Sequence, residues 1–257
     1  MGGIAEFAGW VGLLSLPVFV VWDVLRPHRP LVAPRHWRPL ALVVSAASFL
    51  LSLKVGELWG VVFAGPSLVD GAVLGTWGGA AAGILVYELV HYWYHRAAHR
   101  FDWLWRAAHQ MHHSAESLEA LGAYYAHPLD TVLFTTWSSL VFFPVLGLGP
   151  EAGALAAAFL AFNAVFQHAN IRTPQWLGYL IQRPESHGVH HERGLHRYNY
   201  ADLPLWDVVF GTFRNPERWD GEAGFHDGAS SRVAEMLIGR DVSSPRRSGA
   251  AVLRRAA

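Results

Sequence analysis

The chain has 257 residues, of which 52% are apolar and only 16% are charged. Soluble domains usually carry about 25% charged residues, so this shortage of charge indicates a protein that lies in a bilayer. The 20 lysines and arginines are balanced by 20 aspartates and glutamates, which argues against a nucleic-acid-binding protein with its basic excess. The absence of cysteine excludes disulfides, iron–sulfur clusters, thiolate metal sites and cysteine nucleophiles. Any metal must therefore be held by nitrogen or oxygen atoms.

Five apolar stretches predict helices, and most of them are at or slightly below the roughly 20 residues that a membrane span needs. The last two are joined by a Gly-Pro-Glu turn and predict a hairpin. We therefore expect an all-α fold, an integral membrane helical bundle with about four to five transmembrane helices. Buried helices of a large soluble protein can be equally apolar, which leaves that alternative open. The stretches cover residues 7–22, 40–63, 72–90, 131–148 and 152–166.

Arginines lie on one side of these predicted helices. They follow the first, third and fifth stretches, and the segments on the other side contain none. The positive-inside rule then places the N-terminus outside and the C-terminus in the cytoplasm, and we expect a bacterial inner membrane. A first pair of helices that only dips into the bilayer fits nearly as well. We expect residues 1–228 to form a single membrane-embedded domain and residues 229–257, which are polar and basic, to form a flexible tail.

The fifteen histidines follow a pattern that predicts a metal site. HYWYH has spacing i, i+4, and both HQMHH and HGVHH have spacing i, i+3, i+4. Side chains at these spacings share a face of a helix, so each motif can present several imidazoles to a metal ion. Two isolated histidines, in AHPLD and FQHAN, flank the fourth and fifth apolar stretches. The ten candidate ligands are His91, His95, His109, His112, His113, His127, His168, His187, His190 and His191.

All ten candidates lie on the arginine-rich side of the predicted helices, so we expect them to converge there. Ten imidazoles are too many for one ion but suit two ions, each with about three to five nitrogens and an open position. Further polar residues accompany them. We expect His99, His196, Asn170 and Asn199 to hydrogen-bond a ligand or a bound water. The carboxylates that are candidates to offset the charge of the metals are Glu88, Asp102, Glu116, Asp130 and Glu185.

In chain order, HYWYH, HQMHHS, AHPLD, FQHAN, HGVHH and NYADLPLWDVVFGTF make residues 83–216 resemble the fatty acid hydroxylase superfamily of sterol desaturase-like membrane di-iron oxygenases. The resemblance implies a helical membrane protein with a cytosolic histidine-rich cap that holds two iron ions. It implies O2-dependent hydroxylation or desaturation of a membrane lipid, such as a fatty acyl, sterol or isoprenoid-type substrate. Ala201 stands where the family often has glycine. The candidates that match the three histidine boxes are His91, His95, His109, His112, His113, His187, His190 and His191, and His127 and His168 match further family histidines.

Such an oxygenase needs electrons from outside this chain, which has no cysteine for a cluster. We therefore expect two partners: the membrane lipid, and a separate ferredoxin or cytochrome with its reductase. Arg96, Arg100 and Arg106 are candidates to dock an acidic donor.

Two other classes of function stay open at this point. One is a membrane hydrolase with zinc at the histidine site, although the glutamate of an HExxH helix is missing. The other is a non-enzymatic membrane protein that binds haem or transports a metal. Haem needs only paired histidines, and a transporter would place its ligands near the bilayer midplane. Metal content and an optical spectrum separate these classes.

Overall fold

The computed structural model describes residues 3–30 and 33–245, and within these ranges the regular structure is helical apart from one isolated bridge between Glu192 and Ala223. Short 3₁₀ turns occur at Gly71–Leu74, Ala120–Tyr124 and Gln175–Tyr179, and π-helical turns at Trp105–His109 and Val141–Val145. The α-helices are α1 Gly3–Leu25, α2 Trp37–Val62, α3 Gly75–Arg100, α4 Asp102–Leu104, α5 Gln110–His113, α6 Pro128–Leu140, α7 Pro150–Phe166, α8 Pro184–His191, α9 Pro204–Val209 and α10 Val233–Leu237.

The predicted all-α membrane bundle is confirmed. Each of the five apolar stretches forms a helix, and three helices are long and apolar enough to cross a membrane: α1, α2, and α3 with the turn before it. The helix α7 is apolar but has 17 residues, and α6 continues through a π-helical turn to Val145. The outward faces of α1 and α2 expose large apolar side chains, for example Leu25 at 69% and Val61 at 76%. Such a surface fits hydrocarbon rather than water.

The helices pack as two neighbouring groups, with α1 and α3 against α7, and α2 against α6. Small residues allow α3 and α7 to approach closely, as is common between membrane helices. A Cβ added at Gly79 would lie 3.0 Å from the Cβ of Ala152, and one added at Gly83 would collide with Leu148. The close packing fixes the height of α3 relative to α7, and therefore the height of the histidines at their ends.

Contacts at both ends of the bundle hold the helices in register. At one end the loop after α2 pairs with the end of the π-helical turn, since Leu68 N donates to Pro144 O at 2.8 Å. At the other end Asp23, in the last turn of α1, accepts hydrogen bonds from Ala120 N at 2.6 Å and Asn170 N at 2.8 Å. The second end is the one that carries the histidines.

The expected flexible tail from Ala229 differs from the structure. Residues 229–245 pack beneath α5, where Met236 and Val242 are fully buried beside Met111. Gln110 secures the segment, because its Nε2 donates to Arg240 O at 2.8 Å. The segment is polar and basic overall, so there was little sign in the sequence that its few apolar side chains would pack against the bundle. Residues 246–257 lie outside the described residues, and the domain boundary at 228 stays a prediction.

Candidate metal centre

Five histidines from three helical segments form a first cluster. Each offers one ring nitrogen within 4.8 Å of a nitrogen of every other member. His95 Nε2 lies 2.9 Å from His109 Nε2, which lies 3.1 Å from His113 Nε2. The Nε2 atoms of the other two are buried and have no hydrogen-bond partner. The members are His95 and His99 of α3, His109 and His113 around α5, and His190 of α8.

Backbone carbonyls orient two rings of the first cluster. The Nδ1 atoms of His95 and His190 each lie 2.7 Å from a carbonyl oxygen, that of Tyr200 and that of Tyr198 respectively. Each Nδ1 must therefore carry the proton, which turns an unprotonated Nε2 toward the centre of the cluster. The loop that supplies these carbonyls contains three non-glycine residues at positive φ, His196, Tyr198 and Asn199. Such backbone is costly, and persists where its surroundings determine it.

Side chains orient two further rings. His109 Nδ1 lies 2.7 Å from Asp130 Oδ2, and the other oxygen of Asp130 accepts a hydrogen bond from the Tyr94 hydroxyl at 2.7 Å. His113 Nδ1 lies 3.1 Å from His196 Nδ1. A carboxylate behind a ligating imidazole fixes its tautomer and makes it a better donor to a metal. Four of the five rings in the first cluster thus have an Nδ1 atom in contact with a polar group outside the cluster.

Four histidines form a second cluster, each again with a nitrogen within 4.8 Å of the others: His112, His168, His187 and His191. His168 Nε2 lies 3.3 Å from His112 Nε2 and 3.1 Å from His187 Nε2, and His191 Nε2 lies 3.0 Å from His187 Nε2. His168 Nδ1 is held by Ala164 O at 2.7 Å. The Nδ1 atoms of His187 and His191 are buried without a hydrogen-bond partner.

The two clusters are in contact and share both HxxHH motifs. The rings of His113 and His191 stack with their centroids 4.2 Å apart. HQMHH gives its first and last histidines to the first cluster and the middle one to the second, and HGVHH does the reverse. The expected shared face is therefore only partly correct. Positions i+3 and i+4 differ by about 100° around a helix, which is enough to direct them to two neighbouring ions.

The nitrogen spacings fit metal ions. Two nitrogens bound to one ion at about 2.0–2.1 Å are about 2.9 Å apart at a right angle and about 3.4 Å apart at the tetrahedral angle. The measured Nε2–Nε2 distances run from 2.9 to 3.3 Å. Where both nitrogens are unprotonated, as the outer contacts of His95 and His109 require, a cation between them would relieve the repulsion of their lone pairs.

Burial favours the neutral form of several of these imidazoles, and the neutral form is the one that binds metal. Burial, with neighbouring histidines as the next cause, lowers the pKa of His112, His113 and His191 well below its ordinary value. Burial lowers the pKa of His168 to about 4. At neutral pH these side chains are therefore ready to act as ligands without first losing a proton.

Three histidines lie elsewhere than the sequence predicted. His91 belongs to neither cluster and lies deeper in α3, grouped with Glu88 and Asp202. His127 is also outside both clusters, because its Nδ1 accepts a hydrogen bond from Leu129 N at 3.0 Å and so caps α6. In contrast His99, expected only as a hydrogen-bond partner of a ligand, offers a nitrogen to the first cluster.

The two predicted asparagines bind backbone and not the clusters. Asn170 accepts a hydrogen bond from Arg29 N through its Oδ1 and donates one to Arg29 O through its Nδ2. Asn199 donates to Ser186 O at 2.7 Å and accepts from Arg214 N at 2.7 Å, which fastens the strained loop behind α8. His196 lies beside the first cluster, with its Nδ1 3.1 Å from His113 Nδ1.

Of the five candidate carboxylates, Asp130 contacts a cluster histidine and Glu88 lies beside His91. The other three serve local structure. Asp102 pairs with Arg106, Glu116 accepts from Ser230, and Glu185 binds Thr173 and Arg183.

Sequence reasoning missed two buried carboxylates in the segment NYADLPLWDVVFGTF. Asp207 accepts hydrogen bonds from Tyr200 N at 2.8 Å and Ala201 N at 2.9 Å, and so positions the carbonyl that holds His95. Asp202 lies beside Glu88. The signal was available, because an acidic residue inside an apolar run is costly unless it has a specific partner.

Comparison with known proteins agrees with this site. The model of the fatty acid hydroxylase family matches residues 80–212, a range that contains every histidine of both clusters. The chain belongs to the fatty acid hydroxylase family. No solved structure matches this family member significantly.

Curated relatives of this family member match it over about half of its length. It is 31% identical over 137 residues to a very-long-chain aldehyde decarbonylase of Oryza sativa, with 50% of this chain and 52% of the relative covered. It is 27% identical to sphinganine C4-monooxygenase 1 of Arabidopsis thaliana, covering 51% and 52%. It is 35% identical to human alkylglycerol monooxygenase, covering 54% and 30%. The match thus spans about half, or less, of each relative.

Proposed function

We propose that the protein is an O2-dependent lipid oxygenase that hydroxylates, or desaturates, a C–H bond of a membrane lipid with two iron ions held by the two histidine clusters. The observation that carries the proposal is the pair of adjoining clusters, which hold nine histidines at one end of a membrane bundle. Nitrogen-only ligands in this number suit two ions of iron and leave room for an open position. Family membership supports the same chemistry.

The two clusters have different tasks in this proposal. The five histidines of the first cluster would hold one iron, and the four histidines of the second would hold the other, which leaves the second ion the more open. Bound iron supplies the activation of O2, and the protein supplies position and dryness. Asp130 and the carbonyls of Tyr198 and Tyr200 keep the rings oriented, while burial of the histidines, 8% exposure or less for His112 and His187, keeps bulk water away.

A lipid substrate is supported by the relatives and by the surroundings of the clusters. Two of the relatives bear the names of monooxygenases that act on sphinganine and alkylglycerol. Phe134 of α6 packs edge-on against His91 at 5.1 Å and His95 at 6.2 Å between ring centroids. It presents an apolar surface to the membrane side of the first cluster. An acyl or isoprenoid chain is the kind of substrate that such a surface accepts.

Orientation and electron supply are part of the proposal. The arginine distribution supports a histidine site that faces the cytoplasm of a bacterial inner membrane. A separate ferredoxin or cytochrome would donate electrons at this face. Arg100 is exposed there, next to Phe101 at 51% and Trp103 at 66% exposure, which gives a donor both charge and apolar area. Arg106 is already paired with Asp102.

The test is metal content followed by product analysis. The full chain, purified in detergent and loaded anaerobically with Fe²⁺, is expected to retain iron in both clusters and to show no Soret band. With an electron donor and ¹⁸O₂, lipid extracts are expected to yield an ¹⁸O-labelled alcohol or a new alkene. A fatty aldehyde is included among the lipids tested, because the first of these relatives is named an aldehyde decarbonylase. Activity that survives complete metal removal, or lipid hydrolysis by the zinc-loaded protein, would overturn the proposal.

A further inference from the structure

His91, the histidine of HYWYH that joins neither cluster, lies with Glu88 in the membrane helix α3 and near Asp202 of the loop before α9. Glu88, His91 and Asp202 are 0%, 8% and 6% exposed respectively. An ionisable side chain inside a membrane-spanning helix is expensive, and its presence there points to a function. This group lies closer to the middle of α3 than the first cluster does.

The geometry of the group leaves ligand atoms without partners. One oxygen or nitrogen of each residue lies within 4.8 Å of those of the other two. His91 Nδ1 and Glu88 Oε2 are 3.5 Å apart, which is too long for a good hydrogen bond but suits two ligands of one ion. His91 Nδ1 and Glu88 Oε1 are both buried and lack a hydrogen-bond partner.

The group is preassembled by the surrounding chain. Glu88 Oε2 accepts a hydrogen bond from Asp202 N at 2.7 Å, which ties the loop before α9 to α3. Gln167 Nε2 donates to Asp202 Oδ1 at 2.9 Å. The three side chains therefore approach one another without the help of a ligand, as in a built site.

In the described part of the chain, the charge of the two carboxylates in this group is not balanced by a lysine or an arginine. Within residues 3–30 and 33–245, the ion pairs include no arginine or lysine on Glu88 or Asp202. One imidazole can neutralise at most one of the two buried carboxylates, and an ionised carboxylate left without a counter-charge is costly to bury. A divalent cation would remove that cost.

We propose that Glu88, His91 and Asp202 form a third metal site, which takes a divalent cation such as Fe²⁺ or Mn²⁺. One imidazole nitrogen with two carboxylates is a donor set that suits these ions. The site is distinct from the two histidine clusters, and the proposal does not depend on the oxidation of a lipid. The ring of His91 stacks on that of His95 at 5.4 Å, so a cation here would also set the charge next to the first cluster.

The experiment compares metal stoichiometry between matched variants. Full-length wild type and Asp202→Asn are loaded anaerobically with Mn²⁺, desalted, and assayed for metal per chain by mass spectrometry and for bound Mn²⁺ by electron paramagnetic resonance. Wild type is expected to retain one ion per chain more than Asp202→Asn, and wild type alone to show the Mn²⁺ signal of the carboxylate site. Glu88→Gln serves as the second variant if Asp202→Asn does not fold.

Asp23→Asn is the control, since Asp23 is a buried carboxylate of α1 whose partners are backbone amides. It is expected to retain the wild-type number of ions. Equal metal content in wild type, Asp202→Asn and Glu88→Gln overturns the third site. The number of ions left in Asp202→Asn separately tests the proposed function, because the two histidine clusters remain intact in that variant.

Discussion

The two histidine clusters are built from the same motifs but are supported differently. In the first cluster, four of the five rings have an outer nitrogen held by a carbonyl, by Asp130 or by His196. In the second, Ala164 O holds the outer nitrogen of His168, the backbone of Tyr125 contacts His112, and the outer nitrogens of His187 and His191 have no hydrogen-bond partner. Outer hydrogen bonds fix the rings of metal ligands and strengthen them as donors.

One fold thus provides two neighbouring sites that differ in how many of their imidazole rings are fixed by outer hydrogen bonds. If the clusters hold two ions as proposed, the five nitrogens of the first cluster would nearly complete the coordination of one ion, whereas the four nitrogens of the second would leave a position open at the other. An open position is the mark of a catalytic metal. We therefore expect the second ion to exchange more readily and to be the one that meets substrate or O2.

The largest expected effect is the loss of a ligand from the second cluster. His112→Ala should reduce product formation below detection, because it removes one of only four nitrogens from the more open ion. Metal content should fall by one ion per chain while the protein still inserts into membranes. His99→Ala, in the first cluster, should retain more metal, since four nitrogens remain there.

A histidine outside the clusters provides the control for that comparison. His36→Ala changes an exposed side chain at the start of α2 and should leave both metal content and turnover unchanged. If His112→Ala turns over lipid at the wild-type rate, the second cluster is not the catalytic site.

Acid should empty the clusters in a definite order. In the metal-free fold burial lowers the pKa of His168 from 6.5 to about 4, so between these values the unfolded chain binds more protons. The stability contributed by His168 is therefore complete above pH 6.5 and is lost as pH falls toward 4. Protons also compete with metal for the same nitrogens.

Stepwise dialysis from pH 7 to pH 4, with metal analysis and thermal denaturation at each step, measures this order. We expect the second ion to leave at the higher pH, because its rings are less firmly held. Simultaneous release of both ions would contradict the difference in support, and greater stability of the metal-free protein at pH 4 would contradict the direction of the pKa shift.

A smaller effect is expected behind the first cluster. Asp130→Asn removes the charge that orients His109, and a change of this kind typically weakens metal binding by about 10–100-fold. Metal titration into the metal-free variant measures it. Tyr94→Phe removes only the hydrogen bond from the other side of Asp130 and should have a weaker effect. Equal affinity in Asp130→Asn and wild type would show that the carboxylate does not support the ligand.

The smallest effect tests the position of His127 outside both clusters. His127→Ala should lower the free energy of unfolding by about 0.5–2 kcal/mol, as loss of a helix cap does. Metal content should stay at the wild-type value, because the side chain caps α6 and belongs to neither cluster. Denaturant unfolding and metal analysis together decide between a cap and a ligand.

Sequence patterns predicted the helices and the end of the bundle where the histidines meet, because apolar length and arginine asymmetry are properties of single segments. These patterns could not decide which of two overlapping i, i+4 histidine pairs on α3 joins the first cluster. His91 with His95, and His95 with His99, have the same spacing, and only the depth of α3 in the bundle selects the second pair. The cap at His127 and the contact of Asp202 with Glu88 depend on local backbone and distant packing, which spacing does not contain.

The π-helical turn Trp105–His109 limits how the chain can vary in length between His99 and His109. A π turn contains one residue more than the α-helix around it, and each residue of an α-helix advances by about 100°. Deletion of one alanine from this turn would restore a continuous α-helix and rotate HQMHH by about 100° relative to α4, which would direct its histidines away from both clusters. We therefore expect the segment between His99 and His109 to tolerate no single-residue insertion or deletion, although no cluster ligand lies between these two histidines.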